Sequence, residues 1–284
     1  MKTLDFNRGW NFSCPDGRSS NVTLPHDAML NTERSKEPGF TWFLLAGWQG
    51  NDYTYTKTLT ITQELLHKHL ELEFEGVYCM TTVAVNGQQV CEKAYGYTPF
   101  SVVLDNAVHL GENQITVTAH VPKDGHNRWY TGGGIYRPVH LLVGESAYIQ
   151  RNGVRVTTLS IDPVRVRLEA AVHGGDTAKF SITPKGRAVC FEGCAPVQNG
   201  RAVLEAEIPD ARLWDAENPN LYLVTAELCE NNEVKDTAVE QIGLRTIELT
   251  PDLGLLINGK ATFLRGGCIH NDMGVIGVIN NDAT

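Results

Sequence analysis

The chain has 284 residues, of which 42% are hydrophobic and 20% charged, and its formal net charge is −9 at pH 7. These values predict a soluble globular protein of two domains with a short further piece. The acidic balance argues against nucleic acid and anionic membranes as partners, because phosphate groups require a basic face. No run of about 18 apolar residues is present, so no membrane helix is predicted.

The first residues of the chain, Met1 to Phe6, lack the apolar core of a secretion signal. The seven cysteines are odd in number and scattered, so we expect reduced thiols and a cytoplasmic location. Cys190 and Cys194 have the spacing of half a zinc site, but no second Cys or His pair completes four ligands. The sequence therefore predicts no metal ion and no cofactor.

A two-residue alternation of apolar and polar side chains predicts antiparallel strands along most of the chain. In the first clear case, Leu70, Leu72 and Phe74 would be buried, and the glutamates at 71, 73 and 75 would face solvent. His67 and His69 would share one face of this region, at the surface. The same alternation recurs at 115–121, 164–170, 202–208 and 222–228.

Two Asn-Gly pairs, Asn86-Gly87 and Asn258-Gly259, each follow a short apolar run. Both predict hairpins, because a type I′ turn needs positive φ at its two central residues. Evidence for helix is limited to one turn within residues 63–69. The predicted fold class is therefore all-β, with short strands separated by Gly, Asn and Pro.

A domain boundary is predicted near residues 144–150, after the apolar run that ends at Val143. Residues 1–147 suit a jelly-roll β-sandwich in length and strand number. Residues 148–247 suit an immunoglobulin-like β-sandwich, whose last strand would be Gln241–Arg245. Residues 248–284 form a separate piece.

Several short segments stand in the order in which they occur in one enzyme family. They are Leu24-Pro25-His26-Asp27, Gly96-Tyr97-Thr98-Pro99-Phe100, Trp129 to Arg137, Leu213-Trp214-Asp215, and Arg265 to Asp272. On these segments the chain resembles the front half of glycoside hydrolase family 2, which includes β-galactosidases and β-glucuronidases. The resemblance implies a sugar-binding-type jelly roll, an immunoglobulin-like sandwich and, at 248–284, the beginning of a (β/α)8 barrel.

The resemblance also implies where sugar would bind. Residues 262–270 would be the first barrel strand, with His270 at the carboxyl end where barrel active sites lie. Asp272 follows in the matching motif, although Asn271 stands where many relatives have a second histidine. Arg128, Trp129 and Tyr130 would either reach sugar from the loop before the glycine-rich corner, through hydrogen bonds and stacking, or simply pack.

Other candidate residues have simpler interpretations. Gly132 to Gly134 and Arg137 are expected to be architectural, with Arg137 suited to clamping carbonyls or a carboxylate. His26 and Asp27 are expected to form a structural turn rather than a catalytic dyad. Trp42 and Trp48 lie in an apolar, glycine-containing loop and carry the same ambiguity as Trp129.

No catalytic residue is predicted within the chain. Retaining hydrolysis needs two carboxylates, and in the family both are glutamates on later barrel strands, one of them preceded by Asn. Asn232-Glu233 lies instead in a predicted polar hairpin. We therefore expect the non-catalytic front of a retaining β-glycosidase, preferably a β-galactosidase, with carbohydrate as its partner and a homo-oligomer allowed. The alternative is a stand-alone carbohydrate-binding or protein-interaction module.

Overall fold

The computed structural model describes residues 1–32, 50–122, 130–269 and 273–279. Within these ranges the chain is all-β, as predicted, and helix is limited to short 3₁₀ turns at Ala28–Asn31, Leu65–His67 and Gly274–Ile276. No helix in these ranges is long and apolar enough to cross a bilayer. The chain divides into two compact units, residues 2–143 with 268–284, and Met1 with 144–267.

The first unit is a sandwich of two sheets. Its strands are β1 (Lys2–Asp5), β2 (Trp10–Ser13), β3 (Ser19–Val22), β4 (Asp52–Ile61), β5 (His69–Phe74), β6 (Thr81–Val85), β7 (Gln88–Lys93), β8 (Phe100–Val103), β9 (Gly111–His120) and β10 (Val139–Gly144). Four strands form a sheet in the order β1-β10-β5-β8, and six form a sheet in the order β3-β2-β4-β9-β6-β7. Side chains from both sheets, among them Tyr53, Tyr55, Leu72 and Phe74, fill one core.

The second unit contains a seven-stranded sandwich and a small meander. Its strands are β11 (Tyr148–Ile161), β12 (Val164–His173), β13 (Thr177–Pro184), β14 (Phe191–Pro196), β15 (Arg201–Glu207), β16 (Tyr222–Glu230), β17 (Glu233–Ile242), β18 (Ile247–Thr250), β19 (Gly254–Ile257) and β20 (Lys260–Ala261). The sheets have the orders β11-β12-β15 and β14-β13-β16-β17, and the meander has the order β18-β19-β20. The seven strands fit the predicted immunoglobulin-like sandwich.

The local sequence explains much of this architecture. In β12 the residues at 164, 166, 168 and 170 are buried, and the intervening Arg167 reaches Glu205 of β15 at 2.8 Å on the outer face. Asn86 and Gly87 connect β6 to β7 with φ of 52° and 81°, and Asn258 and Gly259 connect β19 to β20 with φ of 52° and 72°. Both predicted hairpins are therefore confirmed.

The prediction of a solvent-facing row on β5 is wrong. Glu71 and His69 are buried, and His69 Nδ1 lies 2.7 Å from Asp105 Oδ2. Glu75 is half-buried, with His140 Nε2 2.9 Å from its Oε1. The reason is that β5 lies inside its sheet, between β10 and β8, where polar side chains can bury one another in pairs.

Two predicted strand ranges are also corrected. The last strand of the second sandwich ends at Ile242, because Gly243 packs against Trp214, where a Cβ would lie 2.7 Å from the tryptophan Cβ. The predicted strand 262–270 is not formed over its described part, 262–269, which has no regular secondary structure. Phe263, Leu264 and Ile269 are exposed there, and a strand requires a neighbouring strand for its backbone hydrogen bonds.

Candidate functional site

The glycine-rich segment 130–137 is held on both sides by backbone hydrogen bonds. On one side, Ala28 N donates to Gly133 O at 2.8 Å and His26 N donates to Ile135 O at 2.8 Å. On the other side, Gly134 exchanges two backbone hydrogen bonds with Tyr78, at 2.8 and 2.9 Å. The segment therefore lies between the chain at 26–28 and the chain at 76–78.

Close contacts explain why this segment is rich in glycine. Gly134 has a φ of +88°, and a Cβ there would overlap the hydroxyl of Tyr55. Gly132 has a φ of +62°, and its Cβ would overlap Val278 and lie 2.9 Å from Asp27 Oδ2. At each position, the positive φ and the overlap of a Cβ with its neighbours exclude a side chain. The architectural interpretation of these glycines is confirmed.

Arg137 does not form the predicted clamp on a carboxylate. It makes no ion pair among the described residues, and its guanidinium carbon lies 5.5 Å from the ring centroid of Tyr136. Its backbone N–H donates to Gly76 O at 3.3 Å, and its Nε is buried without a hydrogen-bond partner in the part of the chain described. The contact with Tyr136 is of the cation–π kind, which a planar guanidinium favours.

Asp27 is the centre of the corner. Its side chain is 1% exposed and accepts four hydrogen bonds. Oδ1 accepts from Met29 N at 3.1 Å and from Gly133 N at 3.2 Å. Oδ2 accepts from Tyr130 Oη at 2.8 Å and from Val278 N at 3.1 Å.

The bond from Met29 caps the 3₁₀ turn at Ala28–Asn31, as expected for an aspartate that follows Pro25. Burial raises the pKa of the Asp27 carboxyl, and the hydrogen bond from Tyr130 and those from three backbone N–H groups oppose that rise.

His26 has no geometry for catalysis. Its Nδ1 lies 2.9 Å from Tyr55 Oη and its Nε2 lies 2.8 Å from Asn31 Nδ2, so protein groups occupy both ring nitrogens. Burial lowers the pKa of His26 to about 4, which keeps the ring neutral at pH 7. Together with the saturated carboxylate of Asp27, this supports the structural interpretation of the pair.

The segment 273–279 packs against Asp27. It forms a turn in which Met273 N donates to Gly277 O at 2.9 Å. Val278 is 6% exposed and belongs to the core of the first unit. Gly277 has a φ of +61°, and a Cβ there would overlap Asp27 Oδ2. Only a bare backbone can approach the carboxylate in this way.

The four predicted sugar-binding residues, Arg128, Trp129, His270 and Asp272, lie outside the described residues, as do Trp42 and Trp48. Their covalent neighbours are described. Tyr130, next to Trp129, is 5% exposed with its hydroxyl on Asp27, so the packing interpretation holds for Tyr130. Met273, next to Asp272, belongs to the turn that Val278 attaches to the same carboxylate.

Glu233, which follows an Asn in the sequence, lies in the predicted polar hairpin. The turn between β16 and β17 contains Asn231 and Asn232, both with positive φ. The Glu233 carboxylate accepts from Lys235 Nζ at 2.8 Å, and that bond lowers its pKa. An exposed glutamate with a lowered pKa is unsuited to act as a general acid.

Residues 20–158 match a family profile described as glycosyl hydrolase 2 galactose-binding domain-like, and residues 147–245 match one described as glycosyl hydrolases family 2. The chain is 29% identical to a β-galactosidase of Bacteroides ovatus over 98% of its own length and 35% of that protein. It is 28% identical to a β-glucuronidase of Bacteroides fragilis over 95% of its own length and 42% of that protein.

A crystal structure of a glycosyl hydrolase family 2 member from Bacteroides cellulosilyticus superposes on the whole chain with a TM-score of 0.82 at 27% identity, and the chain covers 40% of it. The chain thus spans less than half the length of these three relatives.

Proposed function

The chain belongs to glycoside hydrolase family 2, and from that premise we propose that it is the N-terminal, non-catalytic portion of a retaining β-glycosidase. Among such enzymes we favour a β-galactosidase. Retaining hydrolysis uses two carboxylates about 5–5.5 Å apart, one as nucleophile and one as acid/base. Both would belong to the part of the relatives' length that this chain does not span. The seven free cysteines support a reducing, cytoplasmic environment.

One observation carries the proposal. The two segments that contain the predicted sugar-binding residues both reach the carboxylate of Asp27. Tyr130 directly follows Trp129, and Val278 lies six residues after Asp272. Segments that are about 140 residues apart in sequence would therefore contribute to one sugar pocket.

Within that pocket, the proposed roles follow from side-chain chemistry. Trp129 would stack on the apolar C–H face of a pyranose, and Arg128 would donate to sugar hydroxyls. His270 and Asp272 would bind hydroxyl groups at the reacting sugar. Interactions that strengthen as the oxocarbenium-like transition state forms would raise kcat rather than tighten binding of the substrate.

The choice of a β-galactosidase over a β-glucuronidase is the finer part of this proposal. The relatives include both β-galactosidases and β-glucuronidases. The sugar must therefore be assigned by assay.

The test compares this chain with the complete reading frame that contains it. Both proteins are incubated with nitrophenyl β-galactoside, β-glucuronide and β-mannoside. We expect no turnover by the chain alone and turnover of the galactoside by the longer protein. Turnover above blank by the pure chain would refute the non-catalytic assignment. Millimolar or tighter sugar binding by a chain whose reading frame ends at Thr284 would instead support the stand-alone module.

A further inference from the structure

We propose that Asp27 is a positioning residue of the sugar pocket, which holds the segment from Tyr130 to Gly133 and the segment from Met273 to Val278 in a fixed relation to each other. This inference rests on the proposed function. It assigns a role in sugar binding to a buried carboxylate that touches no substrate.

The two carboxylate oxygens of Asp27 have different partners. Oδ1 accepts from Met29 N and Gly133 N, which belong to the turn and the corner of the sandwich itself. Oδ2 accepts from Tyr130 Oη at 2.8 Å and Val278 N at 3.1 Å. Oδ2 therefore joins the two candidate sugar-binding segments directly, whereas Oδ1 anchors the carboxylate in the sandwich.

Two glycines make this arrangement sterically possible, and both lie against Oδ2. A Cβ at Gly132 would lie 2.9 Å from Oδ2, and a Cβ at Gly277 would overlap it. Both residues have positive φ, of 62° and 61°. One glycine comes from each segment, so the backbone of each approaches the same oxygen without a side chain between them.

The environment strengthens this junction. Asp27 is 1% exposed, so water does not compete for its oxygens. Hydrogen bonds to an ionised carboxylate are stronger than neutral ones, and a low local dielectric increases the difference. Val278 adds a buried apolar contact beside the hydrogen bond. The segment 273–279 is thus fixed by one polar and one apolar contact at the same residue.

The first test measures docking of the segment 273–279 in this chain by hydrogen exchange. Gly277→Ala places a methyl group against Oδ2 and leaves Asp27 unchanged. Gly254→Ala is the matched control, because its φ of +67° is close to the +61° of Gly277 and a Cβ there has nothing within 4 Å. We expect the Val278 amide to exchange at least about 10-fold faster in Gly277→Ala, the factor that 1.4 kcal/mol of lost protection gives, and at the wild-type rate in Gly254→Ala.

Asp27→Asn is the second variant, because an NH₂ group replaces one carboxylate oxygen. This new donor would face the two hydrogen-bond donors that the oxygen had accepted from. It should release the same amide. Circular dichroism checks that each variant is folded. Wild-type protection of Val278 in Gly277→Ala would overturn the inference, whether or not Asp27→Asn folds.

The second test uses the longer glycosidase that contains this chain. Gly277→Ala and Asp27→Asn should each lower kcat by about 10- to 100-fold, as expected when binding groups move by about 1 Å. The concentration of active sites is measured by trapping the glycosyl-enzyme with a slowly hydrolysed fluorosugar. Each rate is divided by that concentration, so that loss of folded protein does not lower the kcat. The double variant should be no slower than the slower single variant, because both changes break one contact.

The outcomes separate this inference from the function on which it rests. An inactive wild-type glycosidase would refute the proposed function. An active wild type, with normalised kcat in Gly277→Ala equal to that of Gly254→Ala, would refute the positioning role alone. Multiplicative losses in the double variant would also refute it, because they indicate two independent structural defects.

Discussion

Replacing Gly134 by alanine should destabilise the first unit by about 2–4 kcal/mol. A positive φ costs a residue with a Cβ about 1–2 kcal/mol, and the smaller entropy of the unfolded chain offsets about 0.4–1 kcal/mol of that. The Gly134 Cβ would also overlap the buried Tyr55 hydroxyl and lie 3.0 Å from Ala28 Cβ. Forcing a methyl group into a packed core adds about 1–3 kcal/mol.

Gly17→Ala is the matched control for this prediction. Gly17 has a φ of +89°, within one degree of Gly134, but a Cβ there has nothing within 4 Å. The control should therefore show only the backbone effect, a net loss of about 1 kcal/mol or less. The difference between the two variants isolates the overlap at Gly134.

The assay is hydrogen exchange of the β4 amides, residues 52–61, at increasing urea concentration. Core strands open with the global free energy of their unit, so the exchange rates give the stability of the first unit without contribution from the second. If Gly134→Ala and Gly17→Ala differ by less than about 0.5 kcal/mol, the corner accommodates a methyl group. The close packing inferred around Asp27 would then be wrong.

Two further predictions concern the same corner. Tyr130→Phe removes one hydrogen bond to a buried carboxylate and should lower the free energy of unfolding by about 1.5–3 kcal/mol, measured by urea denaturation, and an unchanged midpoint would contradict it. His26, with a pKa of about 4 against 6.5 unfolded, contributes stability that is complete above pH 6.5 and is lost as pH falls towards 4, by at most about 3 kcal/mol. Burial raises the pKa of Asp27, so its contribution to stability increases as pH falls, opposite to that of His26. The curve of stability against pH for His26→Gln should therefore fall less between pH 6.5 and 4, and superimposable curves would refute this.

The fold could be predicted from the sequence because its signals are local. In β9 and β12, alternate residues are buried as the two-residue period requires, and the Asn-Gly pairs specify their turns by φ alone. A strand inside a sheet is harder to interpret. His69 of β5 is buried, and Glu75 just after β5 is half-buried, because Asp105 and His140 come from distant positions to pair with them, which no local pattern records.

The candidate site shows the same limit. The turn made by Asp27 with Met29 is local and follows from the residues around Pro25. The hydrogen bonds from Tyr130 and Val278 to Asp27 span 103 and 251 residues. Their donors are a tyrosine hydroxyl and a backbone N–H, which are common groups, so neither residue stands out in the sequence as a partner of Asp27. The glycines at 132 and 277 were the available signal, although a glycine indicates a close approach without indicating to what. The order of the motifs therefore predicts the two segments but does not predict that the Asp27 carboxylate joins them.

The pairing of β1 with β10 has a consequence for biosynthesis. Lys2 lies opposite Val143, so after its synthesis β1 waits for residues made roughly 7 to 28 s later, at about 5–20 residues per second. Val278, the last donor to Asp27, is translated only after all of β11 to β17. The nascent first unit thus becomes complete after the residues of the second have emerged, and its unfinished sheet edge must be kept from other chains during that interval.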